Sequence, residues 1–404
     1  MKIGISGAFV AAFILFGSNA FAQQAPSTAL EWAKSQRLLP SKRINGDLRQ
    51  GIHTLYGLNS VGSSSLSMLG NSDTSRYVTI VNPSTNRTTN IVEVGRPQDR
   101  EYRGITGPAE QGNSVFTGAF GPIDFFDLDK KRKLLTSERT KASPEPVAGD
   151  SAGGFSVTVA KAPNDGGVLL HVVKNGRVST LQTTLGARLD SVSIGQVSGR
   201  EVFFAVLGDH TATHFSMVEG EDILKRGQAS IFSPKLEDPN GRWRRDGDSG
   251  PVSRARLIDA VGNVYGLWPL KNFYGVHVRR AKEAGNDAVV TSPTTSRAFV
   301  SAKGGSSYLM DMEGSCKERT NSLDPVKCTI AVSVAFRNTS DGVDAGYVIF
   351  LNHKLEPIAH FGGANLVYHD LLRMPDGQLA AAGTLVDEGK RMGLLDVWER
   401  FPGL

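Results

Sequence analysis

Gly149-Asp150-Ser151-Ala152-Gly153 spells G-x-S-x-G. This spacing lets a serine sit on a sharp turn between small residues and present its hydroxyl to a base. Asp248 and His277 follow in the chain order nucleophile, acid, base, and a histidine steadied by a carboxylate can take a serine proton. The chemistry would be acyl transfer to water. It requires a helix directly after the serine, yet Phe155-Ser156-Val157-Thr158-Val159 alternates apolar and polar residues as a strand does. No His-Gly-Gly-Gly stretch precedes Ser151 to supply oxyanion donors, and His53 is the sole earlier histidine. The candidate triad therefore lacks its setting.

Other groups carry weaker chemistry. His210 and His214 are four apart in Asp-His-Thr-Ala-Thr-His. On a helix they would share a face and could ligate a metal. On a strand they would stand roughly 13 Å apart. Asp246 and Asp248 in a Gly-rich turn form the carboxylate cluster that a Ca²⁺ loop uses, and no other cofactor is expected. His360 and His369-Asp370 fall at the ends of strand-like runs, where a histidine lining a central channel would serve as acid or base near neutral pH. Arg242-Trp243-Arg244-Arg245, with Trp268 not far downstream, combines an aromatic with forked cations. That mixture suits a contact surface for a protein or an anionic polysaccharide.

The elements that must position these residues read as β. In Arg76–Gly95, β-branched residues (Val78, Ile80; Ile91, Val92, Val94) flank Asn82-Pro83-Ser84-Thr85-Asn86, the pattern of a hairpin. Looser copies follow. Lys174-Asn175-Gly176 marks another hairpin turn, Asp127 to Lys133 a charged one, and Gly389 a third. Comparable points recur about every 35–50 residues, the interval of a propeller blade that buries its faces only by stacking on neighbours. The fold class expected is all-β: a β-propeller, with seven blades preferred and eight also fitting. A short N-terminal helix is expected over Thr28 to Leu39, from a Thr28/Glu31 capping box and a stop at Pro40. Gly51 to Leu58 and Gly393 to Arg400 are strand-like, and their pairing would remove exposed edges.

Tyr77-Val78-Thr79-Ile80-Val81-Asn82-Pro83-Ser84-Thr85, followed by Ile91 to Gly95 and Pro97, resembles the YVTN-type repeat of bacterial seven-bladed β-propellers, and Ile123 to Leu135 resembles a second copy. That family is functionally mixed, so the resemblance implies a fold and no site residues. The segment around Ser151 resembles that of hormone-sensitive-lipase-like esterases, which place an acid and a histidine downstream. Gly247-Asp248-Ser249-Gly250-Pro251 resembles the segment of trypsin-like serine proteases in which Ser249 would be the nucleophile. There the pattern breaks, since a second Gly before Pro251 and an upstream histidine motif are missing.

Residues 1–22 read as a secretory signal: Lys2, an apolar run from Ala8 to Phe16, and Ala20-Phe21-Ala22 before Gln23. The chain is expected to be cleaved near Ala22 and to work in a periplasm or outside the cell, with 23–46 as an extension and 47–404 as the propeller. No later stretch is long and apolar enough to span a membrane as a helix. A net charge of +5 is mild and does not argue for nucleic acid. In an exported chain Cys316 and Cys328, the sole cysteines, are expected to form a disulfide. Three functions remain open: a binding or scaffold module, a propeller lyase or hydrolase using channel His and Asp residues, and a quinoprotein-type electron carrier.

Overall fold

The computed structural model describes residues 32–45, 51–61, 65–95, 104–106, 114–118, 124–127, 132–136, 146–152, 155–162, 167–174, 177–185, 191–198, 200–208, 211–230, 254–257, 263–269, 275–282, 295–300, 306–316, 328–337, 344–352, 356–374 and 376–402. Hydrophobic residues are buried on both faces of the middle strands, and this dictates the layering. Val78, Thr79 and Val81 are all fully buried although they alternate across one strand. A strand buried on both faces must lie between two other sheets.

The chain begins with a 3₁₀ turn at Trp32–Lys34, then β1 (Gln36–Arg37) and β2 (Lys42–Asn45). Sheet I holds β3 (Thr54–Val61), β4 (Ser65–Asn71), β5 (Arg76–Asn82) and β6 (Arg87–Gly95). Sheet II holds β7 (Gly104–Thr106), β8 (Ser114–Gly118), β9 (Asp124–Asp127) and β10 (Arg132–Thr136). Sheet III holds β11 (Pro146–Ala152), β12 (Phe155–Lys161), β13 (Val168–Lys174) and β14 (Arg177–Thr183). Sheet IV holds β15 (Ser191–Ser198), β16 (Glu201–Gly208), β17 (Thr211–Val218) and β18 (Leu224–Ser230). Sheet V holds β19 (Arg254–Leu257), β20 (Asn263–Pro269), β21 (Gly275–Lys282) and β22 (Thr295–Val300). Sheet VI holds β23 (Ser306–Cys316), β24 (Cys328–Arg337), β25 (Asp344–Asn352) and β26 (Pro357–Ala364), and β1 adds to it in parallel alongside β26. Sheet VII holds β27 (Leu366–Arg373), β28 (Leu379–Asp387) and β29 (Lys390–Trp398), and β2 completes it as an antiparallel partner of β29.

Each sheet is a meander, and its first strand touches the first strand of the next. The order runs β3, β7, β11, β15, β19, β23, β27, and β27 touches β3. The core lies between facing sheets. Phe155, Val157, Leu170 and Val172 of sheet III meet Val192, Phe204 and Phe215 of sheet IV. Phe350 and Phe361 of sheet VI meet Tyr368, Leu371 and Trp398 of sheet VII. Leu55, Leu66 and Met68 of sheet I meet Ala380, Leu395 and Val397 of sheet VII. Burying each large apolar side chain contributes about 1.5–3 kcal/mol relative to exposure. Outer strands lose that cover, as β14 shows with its alternation of exposed and half-buried positions.

Among the described residues, three aspartates tie innermost strands together. Asp150 Oδ2 of β11 accepts the Ile194 N–H of β15 at 2.7 Å. Asp311 Oδ2 of β23 accepts the Leu371 N–H of β27 at 2.8 Å. Asp370 Oδ2 of β27 accepts the Leu58 N–H of β3 at 2.6 Å. Each receiving strand is bulged nearby, between Ile194 and Gln196, Tyr368 and Asp370, and Tyr56 and Asn59. A bulge releases backbone donors from the ladder, and here the next sheet supplies the acceptor.

The short helix expected over 28–39 is not formed in its described part. Residues 32–34 make a single 3₁₀ turn, and Gln36–Arg37 are a strand in register with Ala359 and His360. A helix this short is marginal alone. Tertiary contacts win: Trp32 packs against Tyr347, Phe336 and His360 at centroid distances of 4.6, 5.8 and 5.6 Å. Residues 28–31 lie outside the described residues. The partner of the last strand is β2, while Thr54–Val61 starts the next sheet and leaves its neighbour Ile52 to accept the Gly393 N–H at 3.0 Å.

Candidate functional site

Antiparallel alternation puts the start of β3 and of β27, the end of β28 and the β4–β5 turn at residues 72–75 on one face. On this face a polar chain crosses from sheet VII to sheet I. His369, the extra residue of the β27 bulge, has Nε2 3.0 Å from Thr384 Oγ1 on β28. Thr384 Oγ1 is 3.1 Å from Thr54 Oγ1 at the start of β3. Thr54 Oγ1 is 3.0 Å from His53 Nδ1, and His53 Nε2 is 3.5 Å from Asp73 Oδ1 in the β4–β5 turn. Next to this chain, Tyr56 donates from its hydroxyl to Asn71 Oδ1 at 3.2 Å. Burial pushes His369 down from 6.5 to about 4, so its ring is neutral at physiological pH.

Thr54 and Thr384 stand 330 residues apart, so no local pattern could join them. His369 was legible as a candidate. His53, Thr54, Asp73 and Thr384 were not, and the sequence offers no signal for them beyond the strand that starts at Thr54.

The other sequence candidates are dispersed. Ser151 lies on β11 opposite Ser156 of β12, so a strand follows where a nucleophile elbow places a helix. His277 lies on β21, opposite Trp268 of β20. Asp248, Asp246, Arg242, Trp243, Arg244, Ser249 and His210 lie outside the described residues. His214 is a buried residue of β17, in register with Ala205 and Gly227. His360 is on β26, away from the innermost strand of its sheet. Its Nδ1 is 3.0 Å from Ser35 Oγ and its carbonyl accepts from Leu38 N at 2.8 Å. Burial lowers its pKa first, and Arg37 lowers it further. Cys316 and Cys328 are register partners at the end of the β23–β24 ladder. Among the described residues no group of three or more His, Cys, Asp or Glu is placed to hold a metal ion. Among them, too, no helix is long and apolar enough to cross a membrane.

No protein-family model matches the chain, and no curated protein matches it in sequence. The resemblance to the YVTN-type repeat thus has no family match behind it. Among solved structures the chain is similar to the β-propeller domain of Nup133 from Vanderwaltozyma polyspora, at 11% identity and a TM-score of 0.52, covering 85% of this chain and 94% of that one. At that identity the likeness concerns the fold alone. With the nearly all-β meanders described above, it places the chain in the class of β-propellers.

Proposed function

We propose that the chain is an exported binding or scaffold module, a closed ring of seven blades in which β2 on β29 joins the two ends. Its partner would be a protein or an anionic polysaccharide, held by Arg242, Trp243 and Arg244, with Trp268 nearby in sequence. One observation carries this reading. The connection from β18 to β19, residues 231–253, is the longest that joins one sheet to the next, and its flanking strands end and begin on the face of the His53–His369 chain. Long connections in compact folds are commonly functional, and this one carries the basic aromatic cluster. The facing register of Cys316 and Cys328 supports a disulfide in an oxidising compartment.

The test is calorimetric titration of the mature chain with a polyuronate. Replacing Arg242 and Trp243 together by Ala should weaken binding by about tenfold or more, since such pairs dominate contact energies. Unchanged binding would remove the connection from the reading. N-terminal sequencing of exported chain should begin at Gln23.

A second reading, a propeller lyase or hydrolase, is favoured by the His369–Thr384–Thr54–His53 chain alone. In an enzyme, His369→Gln would abolish turnover of a sugar or lactone substrate. A fluorophosphonate label on Ser151 would instead revive the serine hydrolase.

A further inference from the structure

We propose that residues 32–38 exchange between copies of this chain, so that the outer edge of sheet VI is a docking site for the same segment of a second copy. The inference uses neither the Arg242 cluster nor any ligand, so it stands or falls separately from the binding reading above.

Sheet VI is a complete four-stranded meander without β1, and its other pairings are antiparallel. β1 adds a fifth strand in parallel through two residues, Gln36 beside Ala359 and Arg37 beside His360. Around them the attachment is short. Leu38 N donates to the His360 carbonyl at 2.8 Å, the Leu38 carbonyl accepts from Trp398 Nε1 at 3.2 Å, and Ser35 Oγ lies 3.0 Å from His360 Nδ1. Trp32 is the anchor, 8% exposed in the apolar cluster of Ile330, Val332, Val334 and Ile349 on one face of the sheet. Its docking is incomplete: Nε1 is buried without an acceptor, and a buried donor left unpaired opposes its own burial. The segment that follows is held independently. β2 stays on β29, with the Ser41 N–H donated to the Val397 carbonyl at 2.8 Å and Arg43 forked onto Asp396. Residues 32–38 can therefore leave sheet VI by a local opening that keeps β2 in place.

The hinge selects a second copy as the occupant. Leu39 and Pro40 stand between Leu38 and Ser41. A proline holds the residue before it extended, so the hinge resists a tighter fold-back and spans about 10 Å. Among the described residues Leu39, at 64%, is the most exposed large apolar side chain. In an exchanged pair the contacts of Trp32, Ser35 and Leu38 are remade on the other copy. The net gain comes from new surface at the hinge, where the two chains cross and Leu39 meets its copy. So short a hinge requires the rims of the two molecules to meet there. The exchange is then reciprocal about a two-fold axis, which closes the assembly at two copies. The edge of sheet VI reads its own segment by chemistry. It takes an aromatic against Phe336 and Tyr347, a hydroxyl three residues on for His360, and a cation two further for the Phe361 ring, whose centroid is 5.8 Å from the Arg37 guanidinium.

The test is sedimentation equilibrium of the whole chain over a range of concentrations, with amide hydrogen exchange in dilute solution. Expected is an equilibrium between monomer and dimer. Trp32→Ala should lower the association constant about tenfold or more, as loss of a buried Trp anchor does. A Gly-Ser insertion of about six residues between Leu39 and Pro40 lets the segment return to its own sheet without strain and should also weaken the dimer about tenfold or more. The insertion keeps every folded contact, so its result stands even where Trp32→Ala fails to fold. In the monomer the Leu38 amide should exchange faster than that of Ile349 on β25. A chain that stays monomeric at every concentration would overturn the proposal. So would a dimer that the insertion leaves unchanged, which is a plain rim contact, or a Leu38 amide that exchanges only at the rate of Ile349.

Discussion

Arg43 Nε lies 2.8 Å from Asp396 Oδ1 and Arg43 Nη2 lies 2.7 Å from Asp396 Oδ2, a forked pair joining β2 to β29. The two residues are also register partners, so the side chains repeat the link that the backbones make. Asp396 is fully buried and also accepts the Tyr368 hydroxyl. The Arg43 guanidinium sits 5.3 Å from the Phe361 ring centroid. The Asp396 hydrogen bonds raise the Arg43 pKa despite partial desolvation. Removing Arg43 strands a buried carboxylate, which costs far more than the net worth of the pair. Arg43→Ala should therefore lose about 3–5 kcal/mol in urea unfolding. Arg43→Lys keeps the charge without the fork and should lose less. A wild-type midpoint for Arg43→Ala would mean that β2 does not hold the chain ends together.

Asp311 performs the same office between neighbouring sheets. It is fully buried, and its Oδ2 is 2.8 Å from Leu371 N. Asp311→Ala leaves that N–H with only the longer contact to Asp370 Oδ1 at 3.2 Å, at a cost of about 1 kcal/mol, the low end of the range for a buried donor that loses its acceptor. Asp311→Asn retains an acceptor oxygen and should lie between the two. Amide hydrogen exchange reads the effect directly: Leu371 should exchange faster in Asp311→Ala. Unaltered protection there would show that the aspartate is not the acceptor that matters.

Local features of the fold were legible because local chemistry sets them. Asn82 was expected to open a turn, and its Oδ1 accepts from Ser84 N at 2.9 Å while Asn86 takes a φ of 53°. Lys174 and Arg177 pair across the Asn-Gly position as anticipated. Gly389, with a φ of 79°, turns β28 into β29. The alternation after Ser151 correctly foretold a strand. What could not be read depends on distant partners. The Thr28/Glu31 signal promised a helix, but Trp32 finds an aromatic socket on residues about 300 positions later, and burial there overrides a weak local preference. The aspartate links and the His–Thr chain need bulges that place side chains opposite another sheet, and bulges leave no composition signature.

Close approach of backbones explains two glycines, Gly383 against its neighbouring strand within sheet VII and Gly346 of sheet VI against sheet VII. A Cβ on Gly383 would meet the Val367 carbonyl oxygen at 2.1 Å, and one on Gly346 would meet the Leu366 carbonyl oxygen at 2.4 Å. Both atoms are backbone at the start of β27, which cannot turn aside as a side chain can. Gly383→Ala should destabilise by about 1–3 kcal/mol, the usual range for overpacking. Gly377 has a φ of +85° and open space around it. Gly377→Ala thus meets only the left-handed backbone penalty of about 1–2 kcal/mol. Urea midpoints should rank Gly383→Ala below Gly377→Ala, and the reverse order would contradict the close packing of β28 on β27.

His171 makes folding sensitive to acid. It is 2% exposed on β13, with Nδ1 3.0 Å from Thr180 Oγ1, and burial pushes its pKa from 6.5 down to about 4. The unfolded chain therefore binds a proton between those values that the folded chain refuses. Stability from this group is complete above about pH 6.5 and is lost as pH falls towards about 4, because protons favour the state that binds more of them. One such histidine contributes about 3 kcal/mol at most over that interval, and His369 adds a second contribution of the same sign. Carboxylates change stability over part of the same range, so the comparison must be internal. His171→Gln should unfold with a shallower loss of stability between about pH 6.5 and about pH 4 than the unaltered chain, even if the variant is weaker at neutral pH. Parallel pH profiles for the two proteins would show that His171 takes up its proton equally in the folded and unfolded states, and the buried position assigned to it on β13 would then be wrong.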